Sequence, residues 1–162
     1  MAAAYLRRAL EARDVDAHVQ SAGTLSWGGP ASDYVRTVLA EGGIDVSAHR
    51  SQPLSYDLVH AADLVLGMTR AHRGGALAYD ADAADRSFVL GELVRLAEQV
   101  GGRRGNQSVR EWLAMVASLR PVGEPPARAS DEVDDPVGEP IEVYRRVATR
   151  LDDLTSTLAK LL

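Results

Sequence analysis

The chain has 162 residues, a net charge of −5 and no cysteine. Its length allows one domain with a buried core, and its acidic balance argues against a nucleic-acid footprint, which needs a basic patch. The absence of thiols excludes disulfides, thiolate metal sites and a cysteine nucleophile within these residues.

No apolar run approaches the roughly 20 residues of a membrane-spanning helix. No basic-then-apolar leader opens the chain, so a cytoplasmic protein with no membrane partner is expected. The first residues are already helical in period: Tyr5, Leu6, Ala9 and Leu10 fall on one face. No Ser, Thr, Asp or Asn caps this helix and no strand leads into it. Residues 17–23 read as a short strand, and 32–41 as a second helix with Tyr34, Val35, Val38 and Leu39 as its buried face. Gly42-Gly43 stops that helix. Ser55 to His60 reads as a helical turn. Residues 62–68 contain a buried strand, apolar without alternation, as parallel sheets require. Thr69 can cap the next helix.

The Ala/Asp run 78–85 reads as a solvated loop. Residues 87–90 have strand character, and 92–100 are helical up to Gly101-Gly102. Residues 106–119 form an amphipathic helix through Val109, Trp112, Leu113, Val116 and Leu119. A Pro- and acid-rich loop spans 121–134. The last helix runs from about Pro140 to Leu162, with apolar residues at three- and four-residue spacing. Strands alternating with helices give a parallel α/β sheet. Crossover helices join parallel strands, so a first helix without a strand before it suggests a missing leading strand.

Three constellations could carry chemistry. The acid run Asp131, Glu132, Asp134 and Asp135 reads most simply as a solvated loop. Asp135 stands out because Pro136 follows it directly ahead of a long helix. Proline fixes its own φ and holds the preceding residue extended, which can aim one carboxylate as a general acid requires. The Ser21-Ala22-Gly23-Thr24 turn and Trp27 could lie at the carboxyl end of a strand, where α/β sheets bind ligands; a plain glycine turn with a surface Trp fits equally well. The histidines His18, His49, His60 and His72 show no metal-ligand spacing, so no metal is expected. His49 reads as a loop-holding residue.

In order, these segments resemble the low-molecular-weight protein-tyrosine phosphatases, especially bacterial ones. The matching phrases are Met1-Ala2-Ala3-Ala4-Tyr5-Leu6, Ser21-Ala22-Gly23-Thr24, residues 43–51, residues 62–68, and Asp135-Pro136 with Gly138. The resemblance covers nearly the whole chain as a single domain, 1–162, with a longer helical and Pro-rich insertion at about 101–133. It implies a three-layer α/β/α fold with a small parallel sheet of the phosphotyrosine phosphatase I type. The first, central strand and the Cys-x5-Arg-Ser-Pro phosphate loop would lie before Met1. It also implies Asp135 as general acid and base, and Trp27 and Val137 as crevice residues. Val137 departs from the aromatic that many members carry there, which leaves a smaller crevice wall.

The implied reaction needs no metal or cofactor. A thiolate at a helix N-terminus attacks phosphorus, arginine holds the equatorial oxygens, and Asp135 protonates the leaving phenolate. The substrate would be a phosphotyrosine protein or a small aryl phosphate, with no nucleic acid involved. Residues 1–162 hold the acid without the nucleophile, so either the chain starts at an internal methionine or it is a non-catalytic phosphoprotein-binding module. Arsenate reductase is disfavoured, because its thioredoxin-coupled type needs further cysteines. Residues 1–162 expressed alone are expected to be inactive and molten, since a missing central strand leaves unpaired edges. A scanning calorimetry trace with a sharp cooperative transition would contradict this.

Overall fold

The computed structural model describes residues 1–24, 28–121 and 127–162. The chain divides into two compact units, one of residues 1–53 and 134–159, the other of 54–133 and 160–162.

The first unit is built on helices. α1 (Ala2–Glu11) buries Ala4, Tyr5, Leu6, Ala9 and Leu10, the face its periodicity predicts. α2 (Asp33–Glu41) buries Val38 and Leu39 and ends where Gly43 takes a positive φ of 73°. The final helix, α7 (Ile141–Leu161), contributes its residues up to Ala159 to this unit and buries Tyr144, Ala148, Leu151, Thr155 and Leu158. Arg8 ties the three together. One guanidinium nitrogen donates to the Gly42 carbonyl at 3.0 Å, past the end of α2, and another to Asp152 on α7 at 2.7 Å.

The second unit holds a parallel pair of strands, β1 (Val65–Gly67) and β2 (Ser87–Val89), with Leu66 opposite Phe88. Around it lie α3 (Tyr56–Ala61), α4 (Arg70–Tyr79), α5 (Leu90–Val100) and α6 (Val109–Ala117). Short 3-10 turns occupy Ala81–Arg86 and Ala129–Asp131. β2 is buried along its length, and Phe88, Leu93, Trp112 and Leu113 are almost wholly enclosed. Thr69 caps α4 as predicted, accepting from the His72 N–H at 3.2 Å. The Trp112 indole N–H donates to the Gly101 carbonyl at 2.9 Å, which joins α6 to the end of α5. At Gly91 a Cβ would collide with the Asp131 carbonyl oxygen, so only glycine lets the 129–131 turn approach α5 this closely.

Several expectations change. Residues 17–22 form no strand; Gly23 alone makes a parallel bridge, to Pro53. Pro53 has no N–H with which to extend the ladder, and the Val19 carbonyl is taken by the Arg7 side chain at 3.0 Å. Tyr34 is exposed, not buried. β1 is only half-buried at Val65 and Leu66. The 78–85 run is ordered: Asp80 is buried, caps the 81–86 turn at the Asp82 N–H, and pairs with Arg86 at 3.1 Å. Ala83 is fully enclosed. α6 starts at Val109 because Ser108 and Glu111 form a reciprocal capping box, and Leu119 lies beyond its end and is exposed. No helix among the described residues is long and apolar enough to cross a membrane.

Glu92 is fully buried and is held by Arg120 at 2.8 Å and by the Val89 N–H at 3.0 Å. Replacing Arg120 with Met leaves that carboxylate without its counter-charge. A loss of about 3–5 kcal/mol is expected for breaking such a buried pair, to be read from the urea midpoint of the protein isolated from its source.

Candidate active site

The four acids of the 131–135 run have separate fates. Asp131 is buried and takes a two-pronged grip from Arg95, at 3.0 and 2.7 Å, plus the Arg128 N–H at 2.8 Å. Burial alone would raise its pKa, but these donors outweigh it and hold the carboxyl below its usual range. Glu132 accepts from the Arg70 N–H at 2.8 Å and its guanidinium at 2.9 Å, and these bonds lower its pKa. Asp131 and Glu132 are therefore structural. Asp134 and Asp135 are exposed.

Asp135 sits in a loop with little slack. Its Oδ1 accepts the Val137 N–H at 3.1 Å, and the Pro136 carbonyl accepts the Glu139 N–H at 3.0 Å. Pro136 is buried, Gly138 has φ 87°, and the Val143 N–H donates to Pro140 at 2.9 Å as α7 begins. The Asp135 carboxylate is thus turned toward the backbone of Val137, ahead of α7. Val137, 74% exposed, presents a small apolar side chain beside it. Trp27 lies outside the described residues.

In the same unit, residues 21–23 and 47–53 are knit by backbone. The Gly23 N–H donates to the Gln52 carbonyl, the Gln52 side-chain amide to the Ser21 carbonyl, and the Ser51 N–H to the Gly29 carbonyl. The 45–50 loop is held by Asp45 and Arg50 rather than by the His49 ring. Asp45 accepts from the Ser47 N–H at 2.8 Å and its hydroxyl at 3.0 Å; Arg50 donates to the carbonyls of Ser47 and His49. Asp-x-Ser is a readable turn signal that the sequence reading passed over. Burial lowers the His49 pKa, and the positive charges of the Met1 amine, Arg7 and Arg50 add to the shift. Among the described residues no group of three or more His, Asp or Glu is placed to hold a metal ion.

The family model described as low molecular weight phosphotyrosine protein phosphatase matches residues 1–101. The chain belongs to that family.

A probable low molecular weight protein-tyrosine-phosphatase, EpsP of Ralstonia solanacearum, is 35% identical over 116 residues, 72% of this chain and 78% of that protein. A protein-arginine-phosphatase of Geobacillus stearothermophilus is 30% identical over 143 residues, 88% of this chain and 74% of that protein. Among solved structures, the low molecular weight protein tyrosine phosphatase of T. tengcongensis matches with a TM-score of 0.73 and 28% identity, over 99% of this chain and 88% of that one. The family's α/β fold is therefore the fold of this chain.

Gly138 offers a direct check on the acid loop. No atom lies near its missing side chain, so an added methyl acts through backbone strain at positive φ alone. Gly138→Ala is expected to cost about 1 kcal/mol, read from thermal unfolding of the protein isolated from its source, with no loss of helical circular dichroism.

Proposed function

We propose that this chain provides the acid–base and crevice parts of a phosphoprotein phosphatase acting on phosphotyrosine, with Asp135 as the general acid and base. The observation that carries this reading is the division of the acid run. Asp131 and Glu132 are tied up by arginines; of the two exposed acids, Asp134 and Asp135, it is Asp135 that precedes the proline and is turned by its bond to the Val137 N–H. An exposed, directed carboxylate can protonate a departing phenolate and then take a proton from the attacking water. Trp27 and Val137 are assigned to the crevice wall. The family match over 1–101 spans residues of both units, which supports treating 1–162 as one catalytic domain with an insertion at about 101–133.

The family's thiol nucleophile is not among these 162 residues. Residues 1–162 alone are therefore expected not to turn over a phosphoprotein.

A second reading, action on phosphoarginine, has its own support. The Geobacillus stearothermophilus relative named as a protein-arginine-phosphatase aligns over 88% of this chain. The small Val137 offers no aromatic face to a phenyl ring, whereas a guanidinium leaving group needs none. Asp135 would then protonate nitrogen instead of oxygen.

The protein isolated from its source decides between these readings when given phosphotyrosine and phosphoarginine peptides. Release of phosphate from the tyrosine peptide is expected, with kcat falling about 10²- to 10⁴-fold in Asp135→Asn. Faster release from the arginine peptide establishes the second reading. Tight binding without release makes the chain a non-catalytic phosphoprotein module. Full activity of Asp135→Asn removes Asp135 from the chemistry.

A further inference from the structure

We propose that Tyr34 is a positioning residue for Asp135, acting through its ring contact with Tyr144 at the start of α7. The catalytic consequence rests on Asp135 being the acid; the bracing itself rests on geometry.

The loop from Asp135 to α7 is a chain of tight turns. Two prolines fix φ at 136 and 140. Hydrogen bonds link Val137 to Asp135, Glu139 to Pro136 and Val143 to Pro140, at 3.1, 3.0 and 2.9 Å. The direction of the Asp135 carboxylate is therefore set relative to the first turns of α7.

Two neighbouring residues of α7 hold those turns against α2. The Tyr144 ring meets the Tyr34 ring edge to face, with centroids 5.3 Å apart and planes at 74°. Arg145 grips Glu41 through two bonds, at 3.0 and 2.7 Å. Tyr34 and Glu41 are seven residues apart, two helical turns on one face of α2. Two contacts this far apart fix the orientation of a helix, where one would leave it free to pivot.

The contacts are not equivalent. Arg145 and Glu41 are both largely exposed, and ion pairs of that kind contribute little. Tyr144 is buried and Tyr34 is half-exposed. The ring contact is thus the firmer brace, yet removing Tyr34 opens no enclosed cavity and should leave the fold intact. The contact needs the ring and not the hydroxyl, so Phe should replace Tyr34.

The test compares Tyr34→Ala, Tyr34→Phe and Asp135→Asn in the protein isolated from its source. Amide hydrogen exchange at Val137 and Glu139 is expected to rise about tenfold in Tyr34→Ala and to stay at the parent rate in Tyr34→Phe. Where the protein turns over aryl phosphates, Tyr34→Ala should lower kcat about tenfold with KM unchanged. The loss should grow with leaving-group pKa, as in Asp135→Asn. Parent exchange rates in Tyr34→Ala, or equal loosening in Tyr34→Phe, overturn the proposal. A loosened loop in Tyr34→Ala beside full activity of Asp135→Asn leaves the brace standing and removes the acid assignment.

Discussion

The second unit depends on one buried carboxylate. Glu92 enters α5 one turn after β2 ends, where its side chain has no access to water. One oxygen closes the helix start by accepting the Val89 N–H, and the other meets Arg120. Arg120 also donates to the carbonyls of Ala84 and Ser87 at 2.9 and 2.7 Å, and Arg73 donates to the same two at 3.3 and 2.8 Å. Two guanidiniums thus converge on the turn that feeds β2. Burial lowers the Arg73 pKa and the Arg120 charge adds to that, while Glu92 acts in the opposite direction. Without Glu92 the two cations would face each other with less to balance them. Arg120 also lies over the Phe88 ring at 4.1 Å, so the same side chain covers the core of β2.

The first unit is organised differently. Its described residues contain a single β-bridge, and its helices are linked by long charged side chains at their ends. Arg8 serves α1, the end of α2 and α7 together, and Arg145 serves α2 and α7. These links are partly exposed, so their value lies in direction more than in energy.

How much of this could be read from the sequence follows the range of the forces involved. Local signals were legible. Thr69 as a cap, Gly42-Gly43 as a stop, the apolar stripes of α1, α6 and α7, and the strand character of β2 all depend on residues within a turn or two. Partners distant in sequence were not. Asp131 looked like part of a solvated acid run because Arg95 lies 36 residues away. Asp80 looked like loop because its caged geometry needs Arg86 and His60 together. The strand expected at 17–23 failed for a similar reason: a strand is a property of its neighbour, and Pro53 cannot donate. Tyr34 carries helical spacing on the predicted apolar face, but only the structure shows that it meets Tyr144 edge-on rather than entering a core.

The acid run shows why composition alone could not locate the site. Asp131, Glu132, Asp134 and Asp135 lie within five residues and have the same chemistry, yet arginines hold the first two while the last two are exposed. Arg95 grips both oxygens of Asp131 and Arg70 donates twice to one oxygen of Glu132; such bonds lower the pKa of a carboxylate, which makes it a poorer proton donor near neutral pH. The sequence feature that separates Asp135 from its neighbours is the proline behind it, which favours an extended backbone at the preceding residue. A positive-φ glycine two residues after that proline lets the chain turn into α7. Asp-Pro-x-Gly ahead of a long helix is therefore a mechanical statement about one carboxylate, and it can be read as such wherever the neighbouring acids have arginine partners elsewhere in the chain.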